Sequence, residues 1–383
     1  MRSGQSAQVR AVLAAPAMTE AVPDGPRLSA VVMTHPDRID HARALVRAHP
    51  ELGLRVVVDP DPAGPPTALR TARLAWSAVA AGATHHLVIQ DDVTLCPDFL
   101  PHLLAAVRSR PEGALSFFTH WGSHLSYAVR LAALEDLSWT EAVGTYLPTV
   151  ALLMPAQAAA VVAAGIGEAG TRHDDVAVRR VLGANGVPAY VSVRGLVQER
   201  GLPSLVGHGG HGLRHNVCFP PPGAPAAWGS AALRPSLLPY FDAADGRIRA
   251  CRWDEADRMR GRRTDLAAEL TDSGFPPELL HDSLRSHLAR RDVRTGLEPA
   301  LDRTTLHRLW SVAHLLGAVT SGPLRDLGPE AEAALDTLGM GALRLRVPME
   351  RLNVLRPALS DLVRAGVRAG SGARADAGGA AVS

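Results

Sequence analysis

Three short apolar runs, each closed by polar residues, mark the first part of the chain: "LSAVVMTH" from Leu28, "LRVVVDPD" from Leu54 and "HHLVIQDD" from His85. Runs of this length, rich in β-branched residues and ended by turn formers, predict strands covered on both faces. The stretches between them carry helical signals. After Pro66, Thr67 stands as an N-cap, Leu69, Ala72, Trp76 and Val79 recur at helical spacing, and Gly82 sits where a C-terminal stop belongs. The resulting β-α-β-α-β order predicts an α/β fold with a Rossmann-like, mostly parallel sheet and helices on both faces. "ALSFFTHWGSH" and "YLPTVALLMP" read as two more buried strands, the second leading into an Ala-rich helix.

Outside this core the pattern changes. Residues 1–26 are rich in Ala, Pro, Gly and Ser without a period and predict a flexible leader. The first ordered unit spans 27–218, and the Pro-rich, Gly-interrupted stretch 219–230 reads as a linker. Residues 231–369 predict a mainly helical C-terminal region. Leu280, Leu284 and Leu288 share a face after Pro276-Pro277, and Thr305 caps a run carrying Leu306, Leu309, Trp310, Ala313 and Leu316. The Ala, Gly and Ser tail 370–383 predicts disorder.

Composition narrows the function classes. The 383 residues are 46% hydrophobic, enough for a real core, and the net charge of +2 gives no field to recruit nucleic acid or an anionic membrane. Every basic residue is Arg, so any phosphate contact falls to Arg. Cys96, Cys218 and Cys251 lie far apart with no CxxC, which suggests neither a disulfide framework nor a thiolate zinc site. With no signal-peptide core and no transmembrane-length apolar stretch, the expectation is a soluble cytoplasmic protein.

In sheets of this kind ligands lie outside the carboxyl ends of the strands. Thr34 and His35, Asp59 and Asp61, and Asp91 and Asp92 all fall at such ends, so three polar strand ends converge on one crevice. Adjacent carboxylates resist burial together, and a divalent cation relieves their repulsion; hard oxygen ligands favour Mg²⁺ or Mn²⁺. The alternative is that Asp91 opens a turn and caps the short helix Pro97 to Leu104.

"LVIQDDVTLCPDFLPHL" resembles the metal-binding strand end of GT-A glycosyltransferases, an acidic DXD or EDD element followed by an apolar run and "PDF", with Gln90 in place of the leading acid. The resemblance covers roughly 27–218 and implies a GT-A fold and a hexosyltransferase-type enzyme. Such an enzyme moves a sugar from a nucleotide-diphosphate donor, bridged to the protein by Mn²⁺ or Mg²⁺, to an acceptor hydroxyl of a saccharide, peptide or small metabolite. Asp92 would be the metal ligand, Asp91 would touch the ribose or a metal-bound water, and the nucleotide would lie near Thr34, His35 and Asp59. Arg70 and Arg73, on the helix leading into the metal strand, could pair with phosphate or form a solvated face.

"TRHDDVAVRRVLGANG" is similar to the second acidic element of these enzymes, at a helix start facing the acceptor. In an inverting enzyme Asp175 would be the general base and Asp174 its acidic neighbour, although Asp at a helix N-terminus is also favoured by capping and the dipole. "GLPSLVGHGGHGLRHN" resembles a "PSLVxHxG" stretch in which His208 would complete the metal shell; His211 and His215 read as solvated loop residues. Trp121 is a candidate acceptor platform or a core aromatic. Retention remains open. Two other readings stand beside this one: a zinc-dependent hydrolase using the Asp and His cluster, and a non-catalytic partner-binding protein with a GT-A-like fold.

Overall fold

The computed structural model describes residues 25–203, 205, 210, 212–255, 257–264, 277–289, 297, 300–324 and 326–380. Most of the expected leader therefore lies outside the described residues. Thirteen strands are described: β1 Leu28–Thr34, β2 Arg55–Val58, β3 His85–Gln90, β4 Val93–Leu95, β5 Ala114–Ser116, β6 Trp139–Glu141, β7 Ala151–Pro155, β8 Ala189–Ser192, β9 Val197–Glu199, β10 Ala232–Leu233, β11 Leu237–Asp242, β12 Arg247–Arg252 and β13 Arg262–Thr264. The described α-helices are α1 Ile39–Ala48, α2 Leu69–Ser77, α3 Phe99–Ser109, α4 Leu125–Leu134, α5 Ala156–Gly165, α6 Asp174–Ala184, α7 Pro277–Leu288, α8 Arg303–Ala318, α9 Pro329–Asp336, α10 Leu338–Leu343 and α11 Met349–Ala380.

Eight strands form the main sheet, in the order β10-β6-β8-β5-β7-β3-β1-β2. The β-α-β-α-β order sets its edge: β1 is parallel to β2 and to β3, with Thr34 opposite Val58 and Met33 opposite Gln90. That register aligns the three carboxyl ends. The rest of the sheet is mixed, because β7 runs antiparallel to both β3 and β5. Successive β1 residues alternate between two cores. Val31 and Met33 pack in one with α2, α4, α5 and α6, while Ala30 and Val32 pack in the other with Ala42 and Leu45 of α1 and Phe99, Leu103, Ala106 and Val107 of α3. Both faces are thus covered by helices, as period-2 side chains between two helical layers require.

The first two expected helices form with small changes at their ends. Ala68, not Thr67, stands at the cap of α2, although Thr67 Oγ1 accepts from Leu69 N at 3.1 Å; the helix stops at Ser77, ahead of Val79 and of Gly82, whose φ of +74° shapes the following turn. Asp91 does not cap the next helix: it sits in the turn between β3 and β4, and α3 begins only at Phe99.

The C-terminal region is mainly helical, as the sequence predicts, but short strands precede its helices. β10 joins the main sheet parallel to β6, and β11, β12 and β13 form a separate antiparallel sheet. Within the 219–230 stretch, Trp228 packs on Trp139 at a ring separation of 4.8 Å. Every residue of α4 is buried, between the main sheet and the C-terminal helices. Arg130 of α4 is fully buried and donates to the carbonyls of Ala334 and Trp121 and to Ser126 and Thr337 hydroxyls. Helix α8 is capped by Asp302, which accepts from Thr305 N at 2.8 Å, so Asp302 rather than Thr305 is the cap. Helix α11 runs on to Ala380, across residues whose composition predicts disorder. A Cβ at Gly317 or Gly370 would collide with backbone of the opposite helix, so the glycines that lower helix propensity also let α8 and α11 approach closely. Among the described residues no helix is long and apolar enough to cross a membrane.

Candidate active site

A cleft of about 340 Å³ opens at the carboxyl ends of β1, β2 and β3, lined among others by Thr34, His35, Asp59, Asp91 and Asp92. The antiparallel placement of β7 adds to it: Gln90 N donates to Val150 O at 2.9 Å, so the segment entering β7 brings Tyr146 and Thr149 to the same rim. β5 ends there too, contributing Phe118 and His120. Asp174 and Asp175, at the start of α6, line the cleft as well. The two acidic pairs, distant in sequence, therefore share one cavity.

The first pair is held tightly. Asp91 and Asp92 are 5% and 7% exposed, and the Thr34 hydroxyl donates to Asp91 Oδ2. Arg38 Nη1 lies 3.5 Å from Asp91 Oδ1 and 3.3 Å from Asp92 Oδ2. Burial raises the Asp91 carboxyl above its ordinary value, with the Asp92 charge adding to the rise against the Thr34 and Arg38 contacts. His35 Nδ1 accepts from Asp37 N at 3.2 Å and so caps the short turn Pro36–Arg38 that carries Arg38.

Arg70 lines the cleft, but its donors are committed. Nε and Nη2 grip the Asp59 carboxylate at 3.1 and 2.9 Å, Nη1 donates to Pro65 O at 2.7 Å, and Nη2 also reaches Asp61 O at 2.5 Å. Burial works to raise the Asp59 carboxyl, yet the Arg70 and Asp61 N–H bonds with the Arg70 charge outweigh it and hold the group below its ordinary value. Arg70 thus shapes the loop after β2 and keeps Asp59 ionised; it is not a solvated helix face. Asp61 turns that loop, its carbonyl accepting from Gly64 N at 3.1 Å, and is not among the lining residues.

In the second pair, Thr149 Oγ1 donates to Asp174 Oδ2 at 2.8 Å, and Asp175 Oδ1 accepts from Val176 N at 2.7 Å. Burial, and then repulsion by Asp174, pushes the Asp175 carboxyl up to about 6. Burial raises Asp174 too. The Tyr146 phenol is raised by burial and by the negative Asp175. A carboxylate with a value near neutrality, lining a cleft, is suited to proton transfer.

Several cleft residues carry no sequence signal. Arg38 ends the short turn Pro36–Arg38, and Phe118, Tyr146, Thr149 and Arg214 sit in loops within stretches read above as strands or as the Gly- and His-rich segment, where nothing marks these particular residues. Arg214 pairs with buried Glu199 of β9 at 2.6 Å; burial pushes the Glu199 carboxyl up to about 7, Arg214 opposing and Asp92 adding to the shift. Trp121 is core: its ring N–H donates to Leu213 O at 2.9 Å and its ring packs on His215 at 4.8 Å, so His215 is not a solvated loop residue. Its neighbour His120 faces the cleft instead. His208 and His211 lie outside the described residues.

The acidic pair suits a divalent cation in its donor chemistry. Among the described residues Asp92 Oδ1 is buried with no hydrogen-bond donor, and two hard carboxylates match an ion that keeps water and phosphate oxygens in its shell. Among the described residues no group of three His, Cys, Asp or Glu is placed to hold a metal ion. No protein-family model matches the chain, and no curated protein matches it significantly.

Proposed function

We propose that the chain is a metal-dependent glycosyltransferase that moves a sugar from a nucleotide-diphosphate donor to an acceptor hydroxyl. The observation that carries this reading is the meeting, in one cleft, of Asp91 and Asp92 at the end of β3 with Asp174 and Asp175 at the start of α6. Mn²⁺ or Mg²⁺, when bound, supplies positive charge against the departing diphosphate. Asp92 would hold it, with Asp91 beside it and oriented by Thr34. Asp59, kept ionised by Arg70, presents an acceptor for nucleoside hydroxyl or amide groups. Asp175, raised to about 6, is ionised at neutral pH and basic enough to take the proton of an attacking hydroxyl, while Thr149 fixes its neighbour Asp174.

Calorimetry of the full chain with UDP, GDP and TDP, each with and without Mn²⁺, tests the reading. Metal-dependent binding of at least one nucleotide is expected, followed by hydrolysis or transfer from the matching nucleotide sugar. Binding of none of them in either condition would refute it.

A further inference from the structure

Arg38 has no place in the sequence motifs, yet its guanidinium spans the acidic pair. One nitrogen, Nη1, stands 3.5 Å from Asp91 Oδ1 and 3.3 Å from Asp92 Oδ2, while Nη2 donates to the carbonyl of Pro203. The side chain is only 14% exposed, so solvent screens these contacts weakly. Its position is built: His35 caps the turn that carries it, and that turn leaves β1 next to the end of β3. The pair is therefore already compensated by a protein cation, although among the described residues Asp92 Oδ1 still lacks a donor.

We infer that Arg38 is a resident counter-ion competing with a divalent cation for Asp91 and Asp92, so that the free protein holds the cation weakly and takes it up together with a diphosphate. The inference rests on the acidic pair being the metal site. A dication beside the same carboxylates is repelled by the guanidinium, and full ligation by Asp92 requires Arg38 to loosen its hold. A diphosphate reverses the balance in two ways. Its oxygens complete the shell of the cation, and its negative charge offers the released guanidinium a bidentate partner. Arg38 would thus be a positioning residue that sets the order of binding.

The test measures Mn²⁺ binding to the full chain by the loss of the free-ion electron paramagnetic resonance signal, with and without UDP, in the unaltered protein, Arg38→Met, Arg38→Lys and Asp92→Asn. Without UDP, Arg38→Met should bind Mn²⁺ at least about tenfold more tightly than the unaltered protein, with Arg38→Lys nearer to the latter because it keeps the charge. UDP should raise Mn²⁺ affinity strongly in the unaltered protein and less in Arg38→Met. Arg38→Gln, also neutral, replaces the Met variant if that one fails to fold by circular dichroism. Equal or weaker Mn²⁺ affinity in the neutral variant, while UDP-dependent binding persists in the unaltered protein and is lost in Asp92→Asn, overturns the counter-ion role alone. No Mn²⁺ binding to the unaltered protein in either condition, or binding indifferent to Asp92→Asn, overturns it together with the metal reading.

Discussion

Replacing Asp175 by Asn should stabilise the protein at neutral pH while removing the proposed transfer activity. The carboxyl lies at about 6 in the folded chain, against an ordinary aspartate value of 3.8, because burial and the Asp174 charge disfavour ionisation. At about 1.4 kcal/mol per pH unit this corresponds to roughly 3 kcal/mol of unfavourable ionisation in the native state. The folded value is above the unfolded one, so native protein retains a proton that the unfolded chain releases between about pH 4 and pH 6. Stability from this group is complete below that window, falls as pH rises through it and is lost above it. Asn keeps the shape and an oxygen for the Val176 N–H but carries no charge to desolvate. Thermal unfolding at a series of pH values should therefore give Asp175→Asn a higher melting temperature at pH 8, with an advantage near pH 5 of about half that at pH 8. Turnover of the same variant should fall by roughly 10²-fold or more. Equal or lower melting temperature at pH 8 would refute the burial argument and leave Asp175 a favourable helix-terminal charge; full transfer activity would remove the base assignment.

Asp92→Asn should weaken Mn²⁺-dependent nucleotide diphosphate binding by at least about tenfold, or ~1.4 kcal/mol, in calorimetry; unchanged affinity takes Asp92 out of the metal shell. Arg70→Met should lower the melting temperature even without nucleotide, since it leaves the 8% exposed Asp59 carboxylate without its bidentate partner. A phosphate ligand would instead lose only nucleotide affinity. Arg130→Met should cost about 1–3 kcal/mol in urea unfolding, because it removes the guanidinium's buried bonds to the Trp121 and Ala334 carbonyls and to the Ser126 and Thr337 hydroxyls, while each carbonyl keeps a hydroxyl donor, with Arg130→Lys between it and the unaltered protein. Near-neutral behaviour of Arg130→Met would show that α4 and the C-terminal helices are not tied together through this side chain.

The sequence by itself determined the elements whose signals are local. β1, β2 and β3 follow from β-branched runs closed by polar residues, and their parallel pairing follows from the helical stretches between them. The polar strand ends were legible for the same reason: an ionised Asp is far cheaper to place where a buried strand reaches the rim than within it, and Thr34, Asp59, Asp91 and Asp92 line the cleft, as do Asp174 and Asp175 at a helix start. What the tertiary structure decided depends on partners distant in sequence. The reversal of β7 that brings Tyr146 and Thr149 beside β3, the grip of Arg70 on Asp59, and the placement of Arg38 over the acidic pair are set by contacts without periodicity. Trp121 and His120, adjacent in the chain, divide between core and cleft through such contacts alone. The Gly-rich end of α11 reads as disorder because glycine weakens an isolated helix, but at its start the missing Cβ of Gly370 permits a close approach to α8 that no single helix reveals. Local free energies of a strand or a turn are written in a few neighbouring residues, whereas a carboxylate's charge state and a helix's fate depend on what packs against them.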